Sequence, residues 1–348
     1  MATMYDLITA NEVAAYWTEK NVNRQPLLGE TLFPVVREIG TNLSWIKGAK
    51  NQPVGLRLSS YDAKAIRRDM EGIEEVKTKM PFFKESVYID EDLRVQLNNF
   101  IAANNPTLVD SILSRIFDQP ASLIDASDIT LERMRMELIT SGVITLSSNG
   151  QSYTYNYGLD DSQKITVSTS WTDPTADILG DIEKVIEDAK AQGVIITRAI
   201  FNSSVGKTFK TNNALKNAIY VFANGSVNVT TDRAISYLEN ELGISMLEYD
   251  NVYVDENEVA HKYVPDNTIV FLPDGNLGET HKGVTPEESD LTNGLSAKVA
   301  VVNNGVAVTT SEIVDPVNVE TKVSMVALPS FEMADQIYIM DTVASASA

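Results

Sequence analysis

The chain has 348 residues, 43% of them hydrophobic and 22% charged, and a formal net charge of −20. The length suffices for roughly two or three compact units, and the composition is that of an ordinary folded, soluble chain. The absence of cysteine excludes disulfides and thiolate metal sites, and no apolar run approaches the roughly 18 residues needed to span a bilayer.

The charge is unevenly placed. Residues 1–100 hold 13 Lys and Arg against 14 Asp and Glu, so nearly the whole excess, −19, falls after residue 100. An acidic surface of that kind repels nucleic-acid phosphates, which argues against sequence-reading DNA binding. The start, MATMYDLITANEVAAYW, has no basic segment followed by an apolar block. It is therefore not a secretory signal, and synthesis and folding in a cytoplasm are expected.

In chain order, Leu7, Ile8, Val13, Ala14 and Trp17 predict a short helix starting near Asp6. NVNRQPLLGETLFPVV reads as an extended arm, because Pro26, Gly29 and Pro34 oppose a regular element. VGLRLSSYDAKAIRRDM then runs out to Glu71-Gly72, and IEEVKTKMPFFKESVYID runs back with period-two alternation. This predicts a long β-hairpin with the basic cluster Lys64, Arg67 and Arg68 near its tip. Its outer part has few apolar residues, and an isolated two-stranded ribbon is marginal in water, so it needs a surface to lie on.

The strongest helical signal follows. Leu108, Ile112, Leu113, Ile116 and Phe117 share a face, and Pro106 suits the first turn. Pro120 interrupts the pattern or starts a new helix, and Leu131, Met134 and Leu138 continue it up to Gly142, a natural C-cap. Helices and strands then alternate. DPTADILGDIEKVIEDAKAQG, NNALKNAIY and TTDRAISYLENELG (capped by Thr231 or Asp232) are helical, while VIITRAIF, ISMLEYDNVYVDE and NTIVFLPDG are strands. Residues 274–312 read as long loops with one hairpin, and the tail gives two strands broken at Pro329.

Candidate chemistry is sparse. FNSSVGKTF, residues 201–209, places Gly206-Lys207-Thr208 between a strand and a helix, as a phosphate-binding loop would. The glycine required five residues earlier is Phe201, so the bland reading is a polar turn with Lys207 on the surface. His261 and His281 lie in polar stretches and read as exposed loop residues. No G-x-S-x-G elbow is present.

Three segments together carry a resemblance. MPFFKESVYIDEDL (80–93) sets Pro81, two aromatics and Lys84 ahead of Ile89-Asp90. LERMRMELITSGVITL (131–146) is a helix end with Glu132 near its start and one extra residue, Ser141, before Gly142. VDPVNVETKVSMVALPSFEMADQIYIMDTV (314–343) is the third. In this order the chain resembles the lambda-like major capsid protein E family of tailed bacteriophages, over essentially its whole length and least over residues 274–312.

The resemblance implies an α+β fold of the Hong Kong 97 type. It would comprise an N-terminal arm (1–50), an extended E-loop hairpin (51–92) and a peripheral domain with a long spine helix (93–172). An axial domain with long loops (173–313) and C-terminal strands returning to the peripheral domain (314–348) would complete it. It implies a non-enzymatic late protein, without cofactor or metal, that self-assembles as hexamers and pentamers into an icosahedral shell around double-stranded DNA. The implied partners are a scaffolding protein, a portal protein and a decoration protein, with assembly in the host cytoplasm. Lys64, Arg67, Arg68, Phe82, Phe83 and Lys84 are the expected inter-subunit contacts, and hairpin and arm are expected to draw their stability from neighbours. The rival readings are an encapsulin-like compartment enclosing an enzyme, a phage tail-tube protein, and a P-loop nucleotide-binding protein.

Overall fold

The structure, a computed structural model, describes residues 4–47, 74–220, 228–292, 298–315 and 317–344. The helices are α1 (Met4–Leu7), α2 (Ala10–Lys20), α3 (Leu28–Leu32), α4 (Glu91–Ala102), α5 (Pro106–Ser141), α6 (Ile178–Ala191), α7 (Ser203–Thr211), α8 (Asn213–Ile219), α9 (Thr231–Leu242) and α10 (Pro286–Thr292). The first strands are β1 (Val35–Arg37), β2 (Asn42–Lys47), β3 (Glu74–Lys79), β4 (Phe82–Tyr88), β5 (Val143–Ser148), β6 (Gln151–Asn156), β7 (Lys164–Thr166) and β8 (Ile196–Phe201). They are followed by β9 (Ser245–Glu248), β10 (Val252–Val254), β11 (Ala260–Lys262), β12 (Thr268–Pro273), β13 (Thr280–Lys282), β14 (Lys298–Val302), β15 (Val306–Val314), β16 (Val317–Pro329) and β17 (Tyr338–Asp341). The chain divides into two units. One holds Met1–Ser44, Lys77–Met134 and Glu279–Ser330; the other holds Trp45–Val76, Arg135–Gly278 and Phe331–Ala348.

The first unit is organised by β16. One edge of this strand pairs antiparallel with β15, from Val317↔Val314 to Met325↔Val306. The other edge pairs first with β4, from Glu320↔Tyr88 to Val326↔Phe82, and then with β13, from Ala327↔Lys282 to Pro329↔Thr280. β1 adds parallel to β13, and β14 adds antiparallel to β15. Of the sequence-predicted hairpin only the return strand is described: it pairs at β3 with β2 and then at β4 with β16, while the outgoing strand and the tip containing Lys64, Arg67 and Arg68 lie outside the described residues.

Four expectations are corrected here. The arm is not simply extended, since α3 forms one turn and β1 enters the sheet beside β13. Pro120 does not break α5. A proline inside a helix costs roughly 3 kcal/mol, and the buried side chains around it, Ile116, Phe117, Ala121 and Ile124, offset that cost through their apolar contacts. Leu108, expected on the same face, is 41% exposed in the first turn. The stretch 274–312 carries more structure than loops and one hairpin: β13 and α10 precede the β14–β15 hairpin. Helix α4 was not foreseen, although Asp90 caps it by accepting the Asp92 and Leu93 N–H groups.

The second unit is a five-stranded sheet in the order β7-β17-β12-β8-β9, with helices packed on it. β12 runs antiparallel to both neighbours, while β8 and β9 are parallel and joined through α7, α8 and α9. Ile178, Ile182 and Val185 recur at helical spacing and turn the apolar stripe of α6 into a core with Trp171, Phe201, Phe209, Phe271 and Tyr338. Gly142 ends α5 at φ +75°, its N–H donating to the Leu138 carbonyl at 2.9 Å, so the predicted C-cap is present. Leu131, Met134 and Leu138 are all buried.

Candidate assembly surface

The Gly-Lys-Thr stretch lies inside α7, past the strand end. All four N–H groups of the first turn are taken: Ser203 donates to Asp250 Oδ1 at 2.8 Å and Ser204 to Asn202 Oδ1 at 2.9 Å, while Val205 and Gly206 donate to the Asn202 carbonyl. A phosphate would find no free donor and would meet the Asp250 carboxylate already at the helix end. Gly206 serves a different need, because a Cβ there would sit 2.8 Å from Glu248 Oε2. Burial, then the Asp250 and Asp232 carboxylates, push the Glu248 carboxyl above its ordinary range. Lys207 is exposed.

Both histidines lie on strands rather than in exposed loops. His281 is buried on β13, which is flanked on both sides by β1 and β16. Its Nδ1 is 3.0 Å from Glu38 Oε1 and its Nε2 3.1 Å from Ser330 Oγ. His261 on β11 sits 2.9 Å from Asp255 and stacks on Tyr253. Among the described residues, no group of three or more His, Asp or Glu is placed to hold a metal ion, and no helix is long and apolar enough to cross a membrane.

What the surface does offer is a set of exposed side chains on β4. Register with β16 places Phe82, Lys84, Ser86 and Tyr88 on one face of the sheet and Phe83, Glu85 and Val87 on the other. Phe82 is 44% and Tyr88 55% exposed, and the Lys84 ammonium lies 5.8 Å from the Phe82 ring centroid. The structure therefore brings Phe82 and Lys84 together and turns Phe83, half-buried opposite Met325, away from them. Rings and a cation standing free on a sheet can bind another protein surface.

A second feature escaped the sequence reading. Asp118, Asp125, Asp128 and Glu132 recur along one side of α5, at the spacing of helical neighbours. They hold the preceding chain in order. Tyr16 Oη and Lys20 Nζ donate to Asp118 at 2.9 and 2.8 Å, Trp17 Nε1 to Asp125 at 2.7 Å, Arg24 to Asp128, and the Gly29 N–H to Glu132 at 2.8 Å. Lys20 and then Tyr16 hold the Asp118 carboxyl below its usual range. With Val13, Ala14 and Trp17 buried, the arm is packed by its own chain, contrary to the expectation that it depends on neighbours. The acidic spacing 7, 3, 4 within a predicted helix was the signal available.

These features sit on a fold found among solved phage structures. The chain superposes on a protein assigned as the capsid protein of a prophage of E. coli CFT073, with a TM-score of 0.63 and 15% identity, covering 96% of this chain and 99% of that one. A phage-related protein from Bordetella bronchiseptica RB50 gives a TM-score of 0.57 and 12% identity over 98% and 99% of the two chains. The capsid asymmetric unit of cyanophage A-1(L), at 0.49 and 12% over 92% and 93%, is too distant to carry an argument. No curated protein matches the sequence. The class is thus a Hong Kong 97-type capsid fold. Within it, the phage major capsid protein E family matches residues 9–342, and the chain belongs to that family.

Proposed function

We propose that copies of this chain assemble as hexamers and pentamers into a closed icosahedral shell that encloses the double-stranded DNA of a tailed phage, without catalysing a reaction. The observation that carries this reading is the family match over residues 9–342. The charge distribution supports it, since an acidic container holds DNA without binding its phosphates tightly and so does not oppose its exit. A scaffolding protein, a portal and a decoration protein are the partners that such a shell calls for, with assembly in the bacterial cytoplasm. On this reading residues 1–50 serve as arm, 51–92 as E-loop, 93–172 as peripheral domain, 173–313 as axial domain and 314–348 as returning strands.

The hairpin is the proposed contact between subunits. Its cations Lys64, Arg67 and Arg68 would meet carboxylates of a neighbour, and Phe82 and Lys84 would complete the contact near its base, Phe83 lying on the opposite face of the sheet. Particles purified from an infected or induced host test the function. They should hold double-stranded DNA that resists nuclease until the shell is opened. Particles containing one enzyme and no DNA would instead make the shell a compartment.

A further inference from the structure

At the end of the first unit's sheet, β14 pairs with β15 on one side, and among the described residues no strand lies on the other. A groove runs along this free edge, lined by Val299, Ala300, Val301 and Val302 and, on the opposite wall, by Ala15 and Val22 of the α2 region. Successive side chains of a strand point to opposite faces, so a groove that touches four consecutive residues follows the edge and not a face. Val301 is 41% and Val22 72% exposed. The helix wall also carries Asn11, Thr18 and Glu19, so the groove has an apolar strand on one side and a mixed polar and apolar helix face on the other.

Natural sheets shield such edges with lysines, prolines or bulges. Here the strand carries no proline, and Lys298 at its end is occupied by Glu312 across the ladder at 2.7 Å. Among the described residues no strand covers this edge, and β14 is regularly paired to β15 throughout.

We propose that this edge takes an extended segment from a second copy of the chain, which continues the sheet by strand addition. The choice of occupant rests on the shell-forming reading above and on charge. Copies with a net charge of −20 repel one another wherever their acidic surfaces meet. Residues 299–311, the larger part of this hairpin, contain no charged side chain, and Glu19 alone among the groove's lining residues is charged, so two copies can meet there with little of that penalty. Main-chain hydrogen bonds supply the affinity in strand addition, and the alternating pockets beside the edge supply the fit.

Hydrogen exchange on shells, and on subunits dissociated from the same shells, tests the proposal. Outward-directed amides of residues 298–302 should exchange roughly tenfold or more slowly in the shell, the factor that about 1.4 kcal/mol of added protection gives. Val301→Lys should melt like the wild type and fail to form shells, while Val301→Thr should form them. Equal exchange in shells and subunits, or normal shells from Val301→Lys, would overturn the edge contact and leave the shell reading intact. Protection that appears only when a different phage protein binds would overturn it in favour of that occupant. If the chain forms no shell in any preparation, this inference and the proposed function both fail.

Discussion

Glu248 and Asp250 stand at the start of α7, and Asp250 takes the N–H of Ser203 that an anion would need. Lys207, the residue a nucleotide reading would place on the phosphates, projects from the exposed side of the helix. Lys207→Ala should therefore change stability by about 0.5 kcal/mol or less, as exposed substitutions do, and leave assembly unaltered. Calorimetry that detected micromolar ATP binding abolished by this change would contradict that assignment. Gly142 carries the opposite expectation. Its φ of +75° is strained for any L side chain, and an added Cβ would lie 2.5 Å from the Leu159 side chain. Gly142→Ala should cost more than about 1 kcal/mol in chemical denaturation, and a cost near zero would mean that the end of α5 is more pliable than its cap geometry implies.

Among elements, the helices and strands of the second unit were the most legible. The apolar stripe of α6, the stop at Gly193 and the cap at Gly243 are all local signals, and local signals survive without knowledge of the partner. The N-cap of α9 is Thr230, one residue before the expected pair. The hairpin of β5 and β6 went unread, although Asn149-Gly150, both at positive φ, is a strong turn signal. Pairings set by distant chain were not legible: β1 beside β13, β4 beside β16, and the arm beside the carboxylates of α5. The sequence grouped Phe82, Phe83 and Lys84 as candidate contacts but could not show that Phe83 lies on the other face from Phe82 and Lys84, because that depends on register with β16. The arm's packing makes a test at this scale. Removing residues 1–20 strips Val13 and Trp17 from a core, and burial of such side chains contributes about 1.5–3 kcal/mol each. The shortened subunit should melt at a clearly lower temperature, and an unchanged melting curve would return the arm to a purely inter-subunit role. The hairpin should behave in the reverse sense. Arg67→Glu with Arg68→Glu should leave the subunit's circular dichroism and melting as they were while making shells scarce or salt-dependent in sedimentation. Shells at the wild-type level across low and moderate salt would exclude the cluster from the contact.

As a whole molecule, this chain is proposed to be the repeating unit of a closed container. Each subunit then meets several copies, so a small change in one contact is repeated around the shell, and assembly is more sensitive to surface substitutions than folding is. The acidic excess after residue 100 fits that arrangement, because it keeps free subunits apart until specific contacts overcome the repulsion. The most direct measurement is electron microscopy of the purified protein, produced alone and together with its neighbouring gene products. Closed particles of uniform diameter with fivefold and sixfold clusters of subunits are the predicted result. Open tubes or stacked rings, or a protein that stays monomeric in every preparation, would contradict it.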